Sequence, residues 1–322
     1  MYHFSFLLVV VATPDSQSRI STVPLWIRRT LAADPPRAKS LVVTLFGDAI
    51  APHGGCVQLK GLIELLRPFG INERLVRTSV FRLVKEGWLE ARRNGRESSY
   101  ELTQSGRLRF SYAYARVYAR VQEPWKGDWT LVLVRAEELS SQRRQQLRQE
   151  LEWQGLRQLA SQLYAHPRIQ PGPLAELLER IGARKQVISF ANATSDQIGC
   201  GDFQELINER WNLVAVAKHY RRFLRNFGRM NDVLRRSPRL LPQQWFSIRI
   251  LMIHAFRRAV LHDPLLPEEL LGKPWIGNEA YQLAREIYRQ SLRGSEELLA
   301  NVCGFAGEKG TASVSILKDR FL

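Results

Sequence analysis

The sequence predicts an α+β chain in three parts: an N-terminal winged helix-turn-helix, a middle ferredoxin-like α+β domain and a C-terminal α-helical domain. Three observations carry that prediction. Between Ser40 and Phe110 the pattern reads helix, helix, helix, then two strand-like runs flanking Asn94-Gly95. From Trp129 to Ala193 strand and helix signals alternate. From Phe203 onward nearly every segment has helical periodicity, broken only by proline and glycine.

The expected boundaries are residues 1–37 as a peripheral or disordered leader, and residues 38–110 as the winged helix. Residues 111–200 form a linker helix and the middle domain, and residues 201–322 the helical domain, the expected seat of effector binding and dimerisation. The leader ends in "ADPPRAKS", whose two prolines interrupt any helix. Ser40 is the expected cap of a first helix running to about Ala49, which "APHGG" ends. A second helix covers Leu59 to Leu66 and stops near Pro68 and Gly70. The third runs from an Asn72 cap to Glu86, with Gly87 as its stop.

Thr103 is placed to cap a helix reaching about Val121. Trp129 to Val134 is a compact apolar run read as a buried strand. A helix after "SSQRRQQ", short strand-like pieces, the helix "PGPLAELLERIG" and the strand "KQVISFANA" complete the ferredoxin-like order. Trp211–Phe227, Pro242–Leu261 and Asn278–Leu292 are the clearest helices of the last part.

The charge balance narrows the partners. Lys and Arg number 47 against 31 Asp and Glu, for a net charge of +16. A surplus of that size favours a polyanion: nucleic acid, an anionic membrane or a phosphorylated ligand. Three dispersed cysteines, Cys56, Cys200 and Cys303, form neither a disulfide framework nor a zinc knuckle, which suits a reducing cytosol. The apolar run Phe4–Ala12 is too short to span a bilayer and has no basic lead-in, so the expected location is cytoplasmic, away from membranes.

The third helix separates its residues by face. Val76, Val80, Leu83 and Val84 gather on one side; Arg74, Arg77, Thr78, Arg82 and Lys85 gather opposite, with Phe81 among them. Its acids, Glu73 and Glu86, sit at the two ends. Arginine can grip guanine or phosphate with two donors, and threonine can reach a base edge or a phosphate. The hairpin that follows carries Arg92, Arg93 and Arg96 at its tip. A single basic helix is more often a solvated surface. Three helices and a basic hairpin within one short stretch instead match the plan that places the third helix in a major groove and the wing on the backbone.

Longer motifs then resemble a known family. The stretch from Ser40 to Phe110, opening "SLVVTLFGDAIAPHGGC" and including "INERLVRTSVFRLVKEGWLEARRNGRESSYELT", resembles the PaaX family, repressors of phenylacetic acid degradation operons. "PWKGDWTLVLV", "WNLVAVAKHYRRFL", "HAFRRAVLHDPLLPEELL" and "KPWIGNEAYQLAREIY" continue the match in order, from Ser40 to Leu292. The resemblance implies a winged helix, a middle domain similar to Cas2 and a helical C-terminal domain. It also implies a homodimer on double-stranded operator DNA, released by phenylacetyl-CoA. This chain departs from the pattern at Ala255, where the family has Glu after the His of its His-Glu-aromatic-Arg-Arg motif.

An acyl-CoA needs cations for its phosphates and an aromatic slot for its acyl end. Lys218 to Arg239 holds eight Lys or Arg and one Asp, interleaved with Tyr220, Phe223 and Phe227. Tyr220, Arg221, Arg222, His254, Arg257 and Arg258 are therefore the candidate effector residues. There is no Walker loop, dinucleotide fingerprint, nucleophile elbow or zincin motif, and the histidines are dispersed. No cofactor, metal site or catalysis is expected. The competing readings are a same-fold regulator answering another aromatic acyl-CoA, and a nucleic-acid-processing protein using Asp128 of the middle domain.

Overall fold

A computed structural model describes residues 14–95, 97–118, 124–167, 169, 171–194, 203–236, 239–271, 274–304, 317 and 320–321. The chain divides into two compact units. The first comprises Met1–Ala119, Arg222–Arg257 and Ala280–Leu322; the second comprises Arg120–Arg221 and Arg258–Glu279.

The first unit opens with helix α1 (Pro14–Ala33), which the sequence reading had as a peripheral leader. Its Val23 and Ile27 are buried, and the Trp26 ring meets Phe227 edge-on at 5.3 Å. Trp26 Nε1 donates to the carbonyl of Asn226, and Asp34, just past the helix, pairs with Arg222 at 2.9 Å. The internal Pro24 hides this helix from a reading that takes proline as a breaker. The helix does stop before Pro35 and Pro36.

Helix α2 (Ala38–Leu45) begins earlier than expected, because Ser40 is not its cap. Arg37 takes that position without a side-chain cap bond, while Ser40 Oγ accepts from Arg257 at 3.2 Å. The chain continues through a π-helical turn (Phe46–Ile50) and a 3-10 turn (Ala51–His53) to Gly54, where φ is +93°. Strand β1 (Cys56–Gln58), α3 (Leu59–Leu66) and α4 (Glu73–Lys85) follow. Strands β2 (Leu89–Asn94) and β3 (Glu97–Leu102) then form the hairpin, with Gly95 at φ +60° in its turn. The sheet order is β1-β3-β2, antiparallel throughout. Helix α5 (Gln104–Tyr118) is capped by Thr103, whose Oγ1 accepts from Gly106 N.

The second unit holds a four-stranded antiparallel sheet in the order β5-β6-β4-β7. The strands are β4 (Asp128–Val134), β5 (Arg157–Ala160), β6 (Leu163–His166) and β7 (Val187–Thr194). Helices α6 (Ser141–Trp153) and α7 (Pro171–Arg180) complete a βαββαβ order with the first strand central, the ferredoxin-like arrangement. The period-2 pleat explains why β4 is apolar on both faces. Val132 and Val134 pack with Leu147, Leu151 and Leu177 on one side. Trp129 packs with Ile207, Trp211 and Leu266 on the other. Asp128, read as preceding this strand, is its first residue.

Helices α8 (Phe203–Arg210), α9 (Leu213–Arg235), α10 (Pro242–Val260) and α11 (Ile276–Cys303) form the C-terminal region. Of these, α9, α10 and α11 contribute residues to both units.

A buried ion cluster ties the first unit together. Asp48, in the π turn, accepts from Arg249 Nε at 2.8 Å, Arg320 Nη1 at 3.0 Å and the Tyr118 hydroxyl at 2.7 Å. Glu296 accepts from Arg249 Nη1 at 2.7 Å and lies 2.8 Å from His53 Nε2. The Tyr288 hydroxyl accepts from both arginines. Two guanidiniums thus meet two carboxylates, which offsets the cost of removing charge from water. Burial disfavours a charged Arg249, yet Asp48 and Glu296 outweigh it and hold the side chain protonated.

Candidate nucleic-acid interface

Helix α4 begins where Asn72 supplies a cap: its side-chain oxygen accepts from Leu75 N at 3.0 Å. Gly87, at φ +70°, ends the helix and turns the chain into Trp88. Val76, Val80 and Leu83 are buried, and the helix packs against α2. That seam fixes which residues point outward.

Arg74, Arg77, Thr78, Arg82 and Lys85 are all exposed on the opposite side. Arg77 is held by Glu73, with Nη2 to Oε1 at 2.7 Å. The Thr78 hydroxyl donates to the carbonyl of Arg74, one turn back. No ion pair is found for Arg74, Arg82 or Lys85 among the described residues. Phe81 is 64% exposed in the same row and Leu75 is 45% exposed. The sequence reading missed Leu75. Its signal was an apolar residue that falls outside the Val76–Val80–Leu83 seam.

The hairpin places Arg92 and Arg93 on β2, both exposed. Arg92 pairs with Glu90 at 3.1 Å and Glu101 at 2.9 Å; Arg93 has no ion pair among the described residues. Arg96 lies outside the described residues. The junction between helix and hairpin is fixed by Trp88, whose N donates to the Leu83 carbonyl and whose carbonyl accepts from Thr103 N. A Cβ on Gly106 would lie 2.2 Å from the Trp88 oxygen, so only glycine allows α5 to start there.

The candidate effector residues divide between the units. In the second, Tyr220 is fully buried and its hydroxyl donates to Asp263 at 2.7 Å. Arg221 and Arg258 are exposed. In the first, Arg222 is exposed and pairs with Asp34. His254 is buried, its Nδ1 lying 2.9 Å from Thr44 Oγ1. Arg257 is half-buried and donates to the carbonyl and hydroxyl of Ser40. Phe223 and Phe227, counted as possible slot aromatics, are stacked core residues.

Asp128 carries no cluster suited to a metal: no group of three or more His, Cys, Asp or Glu converges among the described residues. Nor is any helix of the described residues long and apolar enough to cross a membrane.

Comparison with known proteins matches three parts of the chain in order. Residues 37–106 match the PaaX-like protein model, 122–207 the PaaX protein central Cas2-like domain, and 211–301 the PaaX-like protein C-terminal domain. The chain is 35% identical over 299 residues to the transcriptional repressor PaaX of Escherichia coli (strain K12), covering 92% of each protein. In architecture it is similar to the uncharacterized protein Rv0674 from Mycobacterium tuberculosis, with a TM-score of 0.54 at 20% identity over 81% of this chain and 98% of that one. The three models span most of the sequence and the curated relative aligns nearly end to end. The chain belongs to the PaaX family.

Proposed function

We propose that this protein is a transcriptional repressor of phenylacetic acid degradation genes. It acts in the cytoplasm as a homodimer on operator DNA and is released by phenylacetyl-CoA. The observation that carries the DNA-binding half is the exposed row Arg74, Arg82 and Lys85 on α4, opposite a buried apolar seam and followed at once by a basic hairpin. Cations left without carboxylate partners keep their charge for phosphates or base edges. The three helices and hairpin serve as a winged helix, with α4 in the major groove. Arg92, Arg93 and Arg96 of the wing hold the backbone, while Arg77 and Thr78 join the reading face.

Repression is supported by the function of the Escherichia coli relative. A two-fold dimer reads two half-sites, so the operator contains an inverted repeat. Phenylacetyl-CoA releases the protein by binding better to a state that fits DNA poorly. Tyr220, Arg221, Arg222, His254, Arg257 and Arg258 are its candidate contacts, each within its own unit. A second reading, the same regulator answering another aromatic acyl-CoA, is favoured by Ala255 standing where the family motif has Glu.

A gel-shift titration on the promoter fragment tests the proposal with phenylacetyl-CoA, free phenylacetate and plain CoA as competitors. Binding in their absence, with release by the thioester alone, is the expected result. Binding without release by the thioester moves the answer to the second reading. Failure to bind the fragment at all contradicts the repressor assignment.

A further inference from the structure

The first unit contains a cleft between α2 with its π turn, α5 and α10 that no part of the DNA-reading face uses. It holds about 30 Å³ of free space, is partly open to solvent, and is walled by Val43, Phe110, Tyr114, Tyr118, Val117 and Ile253. Its polar groups are few: Thr44, Asp48 and the Arg257 guanidinium. An apolar aromatic wall with a handful of fixed polar groups is the composition of a small-molecule site, and free space this small admits a ring only as a wall side chain moves aside. A flat ring on a short acyl arm needs little such movement, whereas a nucleotide does not fit.

The floor of the cleft is unusual backbone. The π turn Phe46–Ile50 interrupts the helix that begins at Ala38, and such turns recur at functional sites. A Cβ on Gly47 would lie 2.8 Å from the Phe110 ring, so glycine lets that ring close over the turn. Phe110 itself is half-buried. Its far side meets Trp88 edge-on at 5.6 Å. Trp88 is the residue joining α4 to the wing.

We propose that this cleft takes the aromatic acyl end of an acyl-CoA. Arg257 meets the thioester carbonyl, and the open mouth lets the pantetheine arm leave. Seating the ring displaces Phe110, and Phe110 moves Trp88. The helix and wing then lose the relative geometry that fits one duplex. This rests on the effector reading above and gives it a place and a route. The ligand shifts the equilibrium only to the extent that it prefers the displaced state.

The test measures phenylacetyl-CoA binding to the full-length protein by calorimetry without DNA, and operator release by gel shift, with plain CoA as control. Ala113→Phe fills the cleft from α5. It should weaken phenylacetyl-CoA at least tenfold while leaving the residual affinity for plain CoA unchanged. Arg257→Gln should weaken the thioester several-fold, with partial recovery in Arg257→Lys, which covers the case that the filled variant does not fold. Trp88→Leu should bind phenylacetyl-CoA like wild type and release DNA poorly.

If wild type binds and responds but Ala113→Phe and Arg257→Gln do so equally, the cleft is wrong and the effector reading stands. Wild type that binds no phenylacetyl-CoA overturns both. Normal release by Trp88→Leu overturns the route through Phe110.

Discussion

Two arginine-rich regions of the first unit are built from the same side chain and do opposite things. On α4 and β2, Arg74, Arg82 and Arg93 stand in solvent without ion pairs among the described residues. At the centre of the unit, Arg249 and Arg320 are enclosed, each gripping Asp48. Arg320 also lies over the Tyr118 ring at 4.2 Å. Guanidinium serves both places because it is always charged and offers donors in a fixed fork. Neutralised inside, it locks elements distant in sequence; left uncompensated outside, it holds a potential for a polyanion. The same substitution should therefore cost folding in one place and binding in the other.

The largest effect belongs to the interior. Asp48→Ala leaves two buried cations short of an acceptor and should lower folding stability by about 3–5 kcal/mol. A fall in the thermal midpoint checks it, and a change near that of a surface substitution contradicts the cluster's role. Outside, Arg82→Ala should cost about 1–3 kcal/mol of operator binding and relax the sequence preference, with the midpoint unmoved. Fluorescence anisotropy on specific and scrambled duplexes separates those two effects.

Arg93→Ala should weaken every duplex about evenly and reduce the salt slope by about 1, as a phosphate contact does. A salt titration reads this directly. Glu73→Gln frees Arg77 from its 2.7 Å pair and should change operator affinity least, toward tighter binding.

Acid sharpens the contrast from the other side. Burial pushes the Glu296 carboxyl up, but the hydrogen bond from His53 and the charge and hydrogen bond of Arg249 outweigh it, leaving its pKa below the ordinary 4.5. A depressed carboxylate stabilises the fold above that ordinary value, and the contribution is lost as pH falls through the folded-state value. Unfolding midpoints measured downward from pH 6 should show this loss in wild type and a smaller one in Glu296→Gln. The exposed face of α4 holds no such buried carboxylate.

How much of this was legible follows from the range of the interactions. Helix α4 and the hairpin were visible because everything defining them is local: the Asn72 cap, the Val76–Val80–Leu83 spacing, Gly87 and Asn94-Gly95. The ferredoxin-like order was legible for the same reason, each element announcing its own period. The ion cluster was not. Asp48 is 201 residues from Arg249 and 272 from Arg320, and nothing in either neighbourhood marks a buried charge. Helix α1 was hidden by Pro24, and its anchoring rests on Trp26 meeting Phe227 far along the chain. Cation counting could not say which arginines already have partners within the chain. Arg222 is bound to Asp34 and Arg257 to Ser40, whereas Arg82 is not so engaged.

The central claim is that the exposed face of α4 reads the operator. Operator affinity of Arg82→Ala, measured beside its thermal midpoint, tests it most directly. The expected result is a loss of roughly tenfold or more on the specific duplex, a smaller loss on scrambled DNA and an unchanged midpoint. Wild-type affinity and specificity in that folded variant would contradict it.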